Sequence, residues 1–286
     1  MQGLAERYEE LLEQERERWW SPENFETWKR LYRSEHARGL YVLDLLREVV
    51  PGFGIEGARV LDVGCGDAGA LIALGERGAR SFGTDVSARS LRRAVVRAAE
   101  HDTRVELVRG DGEALPYASE SFDVVMLDNV LEHVWHPALA LGEARRVMRP
   151  GAFLYVVTPK PFALYSLWND PHYDLAGLVL LPRRAQRWYF ERVRGGSGYD
   201  VTHIPTRRRV LALVRDAGFA LVASPRELWI RYLRDRVSRP SEVRPGITRT
   251  LASAVASRPW LLERGVMRWF WDVVVGSNHV LARRLT

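Results

Sequence analysis

The segment from Arg59 to Leu71, RVLDVGCGDAGAL, joins an apolar run to a glycine-rich turn and then to an apolar helical pattern. A strand, a tight loop and a helix in this order begin a unit of parallel strands, because the helix carries the chain back across the sheet. The alternation continues along the chain. Apolar runs predict strands at 59–63, 80–85, 105–111, 122–128 and 153–159, and helical patterns predict helices at 68–77, 87–100 and 138–148.

The segments on either side of this alternation predict further elements and a division of the chain. We assign 1–50 to an N-terminal helical lid and 51–286 to the main domain. Two stretches interrupt the α/β pattern of the main domain and are interpreted as insertions, at about 160–205 and 225–271. A helix at 206–219 and strands at 219–224 and 277–285 complete the predicted elements.

Composition limits the classes of protein that this chain can represent. The net charge is +6 over 286 residues, which is too modest to indicate a nucleic-acid partner. Cys65 is the only cysteine, so an internal disulfide and a cysteine metal cluster are excluded, and no metal is expected. The first residues lack the apolar core of a signal peptide and no long uncharged apolar run occurs, so we expect a cytoplasmic location.

The glycine loop alone leaves two kinds of ligand open. Gly64, Gly66 and Gly69 match the G-x-G-x-x-G spacing of dinucleotide-binding turns. Asp85 ends the second predicted strand, where a carboxylate accepts hydrogen bonds from a ribose diol in nicotinamide and other nucleoside sites alike. Asp62 lies two residues before the first glycine. A carboxylate there repels a pyrophosphate and attracts an ammonium group, which favours an amino-acid nucleoside.

Four motifs in order extend this interpretation. DVGCG at 62–66, GDGEALP at 110–116, FDVV at 122–125 and the Pro-Gly turn at 150–151 follow one another at plausible spacings. Together they closely resemble the class I S-adenosylmethionine-dependent methyltransferases. The resemblance implies an α/β fold, with a doubly wound Rossmann-like sheet of seven mostly parallel strands and a C-terminal antiparallel strand. It also implies S-adenosyl-L-methionine as the cofactor.

The resemblance assigns roles at the methionine end of that cofactor. Gly64 and Gly66 offer their backbone to the methionine part, and Asp62 is oriented toward its amino group. The other residues implied at the cofactor are Cys65 in the loop, Asp85 at the ribose hydroxyls, Val86 against the adenine, Asp111 and Gly112 at the adenine amine and ring, and Asp128 and Asn129 near the methyl group. Many members carry glycine where this chain has Ala68.

The N-terminal helices contribute two further candidates. His36 and Arg38 lie in the segment SEHARGL and are interpreted as residues that contact the cofactor carboxylate or close over it. A guanidinium is suited to a carboxylate partner, because it donates two parallel hydrogen bonds.

The molecule that receives the methyl group, the acceptor, is indicated by fewer sequence features than the cofactor is. The sequence DNVLEH at 128–133 stands where methylases of nucleic-acid amines often carry N-P-P-Y, which argues against that class. An acceptor hydroxyl needs a base within hydrogen-bond reach. Candidate bases are His133, in a predicted helix after the fourth strand, and His172 and His203 in the first insertion. The aromatic residues of 160–190 favour a small acceptor with apolar or ring character.

The leading hypothesis is therefore a methyltransferase that acts on the oxygen of a small, glycosidic or lipid-like molecule. A cofactor-binding module without activity that contacts RNA or protein is one alternative, and an NAD(P)-dependent oxidoreductase is another. The Trp- and Arg-containing segment 258–275 leaves peripheral membrane contact open. The sequence predicts no oligomeric state.

Overall fold

A computed structural model describes residues 2–16, 22–161, 175–194, 201, 204–224, 227–228, 231–232, 235, 257 and 277–285. Seven strands form one sheet in the order β3-β2-β1-β4-β5-β7-β6. The strands are β1 (Arg59–Val63), β2 (Arg80–Asp85), β3 (Val105–Arg109), β4 (Phe122–Asp128), β5 (Met148–Pro159), β6 (Phe219–Leu221) and β7 (Ser277–Arg284).

Strand direction confirms the predicted fold class. Strands β1 to β5 pair in parallel, whereas β7 is antiparallel to both β5 and β6. The chain moves outward from β1 to β2 and β3, then returns to the other side of β1 to form β4. Ligands of doubly wound sheets bind at this reversal of strand order, beyond the carboxyl ends of the strands. That edge lies between β1 and β4.

Helices cover both faces of the sheet. They are α1 (Gln2–Glu13), α2 (Pro22–Arg33), α3 (Glu35–Val49), α4 (Gly69–Gly75), α5 (Ala88–Glu100), α6 (Pro137–Val147), α7 (Arg183–Arg194) and α8 (Arg207–Asp216). Helices α3, α4 and α5 pack on one face of the sheet, and α6 and α8 pack on the other. Each face therefore has its own apolar core.

Local sequence explains several of the boundaries. The Ser87 side chain accepts a hydrogen bond from Ser90 N and begins α5, and Thr206 does the same for α8 through Arg209 N. Most elements agree with the predicted ones to within a few residues. The fifth strand is an exception, because β5 begins at Met148, directly after α6, and runs to Pro159.

The N-terminal helices are anchored to the glycine loop by a buried polar network. Asp67, just beyond the glycines, accepts from Arg93 Nε at 2.8 Å and from Tyr8 Oη at 2.8 Å. Arg93 also donates to Glu15 at 2.9 Å. Paired buried charges of this kind hold two elements in one geometry, since breaking either pair leaves an uncompensated charge. Helices α1 and α5 are thereby fixed against the loop.

Much of the two predicted insertions lies outside the described residues. Within the first, a short helical turn at Leu178–Leu180 and α7 enclose a small apolar cluster of Leu175, Leu178, Phe190 and Val201. None of the helices among the described residues is both long enough and apolar enough to span a bilayer.

Candidate functional site

The glycine loop adopts left-handed backbone conformations between β1 and α4. Gly64 has φ of 71° and Gly66 has φ of 53°, and a Cβ added to Gly64 would lie 2.7 Å from Val130 Cγ2. Ala68 also has a positive φ, 58°, so this alanine adopts the conformation that glycine takes more readily. The loop is tied to β2, because the N–H groups of Gly64 and Cys65 both donate to the Thr84 carbonyl.

Cys65 contributes packing rather than an exposed thiol. Its side chain is buried in the core beneath α4, and a Cβ added to Gly83 would lie 2.7 Å from its sulfur. Burial and the nearby Asp62 carboxyl raise the pKa of the thiol well above its usual value, so the group stays protonated.

Asp62 lies at the end of β1 with its side chain buried. Its Oδ1 has no hydrogen-bond partner among the described residues. Burial, followed by the nearby carboxyls of Asp128 and Glu35, raises the pKa of Asp62 well above its usual value, although Arg38 opposes this shift. A buried carboxyl oxygen without a partner is costly. The amino group of S-adenosylmethionine would supply the donor and positive charge that this atom lacks, so the residues present fit that cofactor.

Arg38 brings helix α3 to the carboxyl end of β4. Its Nη1 donates to Asp128 Oδ2 at 2.9 Å, and its Nη2 lies 3.4 Å from Glu35 Oε1. Its Nε is buried and has no hydrogen-bond partner among the described residues. Asn129 follows with φ of 56° and donates to the other oxygen of Asp128 at 2.7 Å. The structure therefore brings Arg38, Asp128 and Asn129 together, and the contact of each with the cofactor stays a prediction.

Glu35 is a residue that the sequence reasoning missed. Its Oε2 accepts from Gly69 N at 3.3 Å at the start of α4, and lies 3.4 Å from Arg97 Nη1. Burial raises the pKa of Glu35 to about 7, against the lowering effect of Arg38 and Arg97. A signal was present, since Glu35 and Arg38 are three residues apart and share one face of a helix.

Three carboxyls of this region face two guanidiniums, those of Arg38 and Arg97. Asp62, Asp128 and Glu35 surround Arg38, and burial raises the pKa of Asp128 as it does for the other two. A net excess of carboxyls suits a cationic ligand, and S-adenosylmethionine carries a sulfonium in addition to its amino and carboxylate groups. The charge balance therefore agrees with the cofactor.

Asp85 and Val86 form the next part of the site, at the end of β2. Asp85 Oδ2 accepts from Gly66 N at 3.0 Å and Oδ1 accepts from Ser87 N at 2.7 Å. Each carboxylate oxygen keeps capacity for a further hydrogen bond, so ribose hydroxyls fit beside these two N–H groups. Val86 is 62% exposed. An exposed apolar side chain at this position fits the predicted packing on adenine.

Asp111 and Gly112 follow β3 in a tight turn. Asp111 is exposed, and its Oδ1 accepts from Glu113 N at 2.9 Å. Gly112 is buried, and a Cβ added there would lie 3.0 Å from Val63 Cγ1 at the end of β1. The turn therefore lies against the same strand edge, and contact of these two residues with adenine stays a prediction.

The histidines divide into several groups. His133 lies in a turn before α6, so the predicted helix at that point is wrong; α6 begins only at Pro137. His133 is close enough to Asp85 to contribute, in the charged form, to lowering the pKa of that carboxyl, although burial is the larger effect and raises it. It therefore lies near Asp85, and its predicted role as a base stays a prediction. His172 and His203 lie outside the described residues. His36 contacts Glu76 and not the loop.

A second pair that sequence reasoning missed is Tyr155 with His279. Tyr155 Oη lies 2.9 Å from His279 Nδ1, and His279 Nε2 is buried without a hydrogen-bond partner among the described residues. Burial, and secondarily Lys160, lowers the pKa of His279 to about 3, so its imidazole is neutral. The sequence gives little indication of a functional role for His279, because SNHV has the pattern of an ordinary strand.

Strand register relates this pair to the rest of the site. Asp128 pairs with Val157, and Val157 pairs with His279, which places the three on one face of the sheet. In the neighbouring row, Met126 pairs with both Asp62 and Tyr155. The face toward α3 therefore carries Asp62 and Asp128 on β1 and β4, and the Tyr155–His279 pair on the next two strands, β5 and β7.

Comparison with known proteins agrees with this geometry. Residues 61–156 match a family described as a methyltransferase domain. A ubiquinone biosynthesis O-methyltransferase of Hahella chejuensis is 34% identical over 176 residues, which are 60% of this chain and 68% of that protein. A protein of the same description from Cereibacter sphaeroides is 31% identical over 157 residues, 51% of this chain. Less than two thirds of its length, 62%, is covered.

Solved structures share the fold at lower identity. A S-adenosylmethionine-dependent methyltransferase from Mesorhizobium loti aligns over 84% of this chain and 96% of its own, with 23% identity and a TM-score of 0.52. The cyclase SpnF aligns over 86% of this chain and 81% of its own, with 22% identity and the same TM-score. Because one of these two is described as a cyclase, the fold by itself does not specify the reaction.

Proposed function

This chain belongs to the class I S-adenosylmethionine-dependent methyltransferases, and we propose that it methylates a hydroxyl oxygen on the ring of a small acceptor. Two related proteins are described as ubiquinone biosynthesis O-methyltransferases, which supports an oxygen atom as the acceptor. The single observation that carries the proposal is the neutral, buried His279, whose Nε2 lacks a hydrogen-bond partner among the described residues.

The methionine end of the cofactor is assigned to the centre of the sheet edge. S-adenosylmethionine, when bound, supplies a methyl group that a sulfonium makes electrophilic. Asp62 Oδ1 holds the amino group, and Arg38 Nε is available to the carboxylate beside Asp128. Asp85 holds the ribose. Helices α1, α2 and α3 form a lid in this proposal, because α3 carries Arg38 and Glu35 to the loop.

The acceptor is assigned to the β5 and β7 side. The acceptor hydroxyl donates to His279 Nε2, which takes the proton as the oxygen–carbon bond forms and the carbon–sulfur bond breaks. This step requires the tautomer in which His279 Nδ1 carries hydrogen and donates to Tyr155 Oη. Positioning supplies much of the rate in such a displacement. The low pKa of His279 limits it to brief protonation, so orientation of the hydroxyl is its main contribution.

Apolar side chains support an acceptor with a ring or an alkyl chain. Leu180 is 63% exposed and Trp188 is 64% exposed, both within the predicted first insertion. Such side chains suit an apolar small molecule or the surface of a membrane that contains it. The aromatic residues at 162, 165, 168 and 173 lie outside the described residues, so their part in the acceptor site stays a prediction.

The proposal is tested by turnover with a defined panel of acceptors. The protein is incubated with S-adenosylmethionine carrying a deuterated methyl group and with phenols, catechols and prenylated catechols, alongside matched amines. Mass spectrometry is expected to find a methyl ether and an equal amount of S-adenosylhomocysteine. If methylated amines were the only labelled products, the assignment of the acceptor atom as oxygen would be overturned. Cofactor binding without turnover on every acceptor would favour the alternative of an inactive binding module.

A further inference from the structure

Three helices bring two imidazoles and one carboxylate together on the surface, away from the glycine loop. His36 lies in the first turn of α3, Glu76 directly follows α4, and His101 directly follows α5. His36 Nε2 lies 2.8 Å from Glu76 Oε2, and His101 Nδ1 lies 2.9 Å from Glu76 Oε1. The two rings stack with centroids 5.5 Å apart. Segments distant in sequence thus present three side chains to one point.

The donor atoms of these side chains are close enough to share one ion. One ligand atom from each of His36, Glu76 and His101 lies within 4.8 Å of the others. Bonds of about 2.1 Å in tetrahedral geometry place neighbouring ligand atoms about 3.4 Å apart. The present 2.8 and 2.9 Å separations need only to widen by rotation of side chains that are each about one-third exposed. Ions can therefore reach the cluster from solvent.

The chemistry of the three side chains also suits a cation, because a carboxylate and two imidazoles together offer an anionic oxygen and two nitrogen lone pairs. A neutral imidazole moves its hydrogen to the other ring nitrogen at little cost, which frees a lone pair toward the ion. Two imidazoles and a carboxylate form a ligand set that suits zinc.

We propose that His36, Glu76 and His101 form a binding site for a divalent transition-metal ion, and that Zn²⁺ is the ion it fits best. Three protein ligands leave a fourth position for water, as in open zinc sites. The ion would join the start of α3 to the ends of α4 and α5. Glu35 precedes His36 and contacts the glycine loop, so the ion would also hold that contact in place.

This site is independent of the proposed reaction and has its own test. Protein without an affinity tag, stripped with a chelator, is titrated with Zn²⁺ in a calorimeter, and its melting temperature is measured with and without the metal. One ion per chain is expected, with a rise in melting temperature because the ion binds the folded state. Substitution with Co²⁺ is expected to give the visible absorption of a four-coordinate site.

Variants distinguish this cluster from other surface histidines. His36→Ala, His101→Ala and Glu76→Gln are each expected to weaken Zn²⁺ binding by more than about 100-fold, since even an outer-shell partner is worth about 10–100-fold. His136→Ala is the matched control. His136 Nδ1 makes a similar 2.9 Å contact with Glu113, but this pair contains one imidazole and not two. Circular dichroism checks that each variant folds.

Two outcomes would overturn the proposal. Zn²⁺ affinity that is equal in the His36→Ala, His101→Ala and unmodified proteins would place any bound metal elsewhere. No binding to the stripped, folded protein would show that the three side chains form a hydrogen-bonded cluster only.

Discussion

Arg38 Nη1 lies 2.9 Å from Asp128 Oδ2, and this contact joins residues that are 90 positions apart in the chain. It brings an N-terminal helix to the strand edge where doubly wound folds bind their ligands. The proposed cofactor site therefore combines two parts of the chain, the glycine loop with the strands around it and the start of α3.

Removal of the Arg38 guanidinium should weaken cofactor binding. Arg38→Met keeps the aliphatic stem but leaves the carboxylate of the cofactor and Asp128 without a charged donor. A hydrogen bond to a charged group is worth about 1.5–3 kcal/mol, so S-adenosylhomocysteine should bind roughly 10- to 150-fold more weakly by calorimetry. Arg33→Met is the control, because Arg33 pairs with Glu9 on the exposed surface. Equal affinity in both variants would exclude Arg38 from the site.

Asp62→Asn should separate stability from binding. The folded-state pKa of Asp62 is raised, so its contribution to stability is present at low pH and is lost as the pH rises through that pKa. At pH 8 the variant should be more stable than the unmodified protein by about 1–3 kcal/mol, because the unmodified protein loses this contribution as the pH rises whereas an amide does not titrate. It should also bind S-adenosylhomocysteine more weakly. Chemical denaturation and calorimetry measure the two effects.

Unchanged binding in Asp62→Asn would contradict the assignment of this carboxyl to the amino group. Lower stability at pH 8 would contradict the account of its burial.

Asp85→Ala should weaken S-adenosylmethionine binding by about 1–3 kcal/mol through loss of charged hydrogen bonds to the ribose. The same change removes the acceptor for Gly66 N and Ser87 N, so Asp85→Asn is measured beside it to retain one acceptor oxygen. Asp123→Asn serves as the control, since Asp123 accepts from Arg59 N and Arg149 at the opposite end of the sheet. An affinity loss of equal size in the control would remove the ribose assignment.

Glu35 should make stability depend on pH near neutrality. Its folded-state pKa of about 7 is above the ordinary value, so its contribution is full below about pH 4.5 and is lost as the pH rises through 7. The unfolding free energy of the unmodified protein should fall relative to that of Glu35→Gln between pH 5 and pH 8, by an amount on the order of 1–3 kcal/mol. If the unfolding free energies of the two proteins changed with pH in the same way, the raised pKa of Glu35 would be contradicted.

His279→Gln should lower kcat by about 100-fold, the lower range for loss of a positioned proton acceptor, with a smaller effect on KM. Tyr155→Phe should lower kcat less, because the imidazole remains while its tautomer is no longer fixed. His133→Gln should change the KM for the cofactor more than kcat, since His133 lies near Asp85. Full activity in His279→Gln would return the role of base to the other candidate histidines.

The sheet could be predicted from the sequence because its signals are local. The apolar runs, the Ser87 cap and the Pro-Gly turn each act within a few residues, and the order of motifs implied the topology. The antiparallel last strand came from family resemblance, since SNHVLARRL has no feature that specifies its direction.

Apart from Arg38 on α3, the acidic residues proposed at the cofactor were indicated by their positions near the ends of strands. Asp62, Asp85 and Asp128 each occupy one of the last two residues of a strand, and the parallel sheet brings such positions to one edge. Glu35 and His279 depend on the way α3 and β7 pack across the sheet, which short-range patterns do not encode. His36 was expected at the cofactor, but its neighbours on α4 and α5 place it with Glu76 instead.

The most direct test of this account is a crystal structure of the protein with S-adenosylhomocysteine. We predict that the amino group lies within hydrogen-bond distance of Asp62, that Arg38 reaches the carboxylate, and that the sulfur faces the space between Asp128 and His279. A homocysteine end bound elsewhere, with Asp62 still unpartnered, would contradict it.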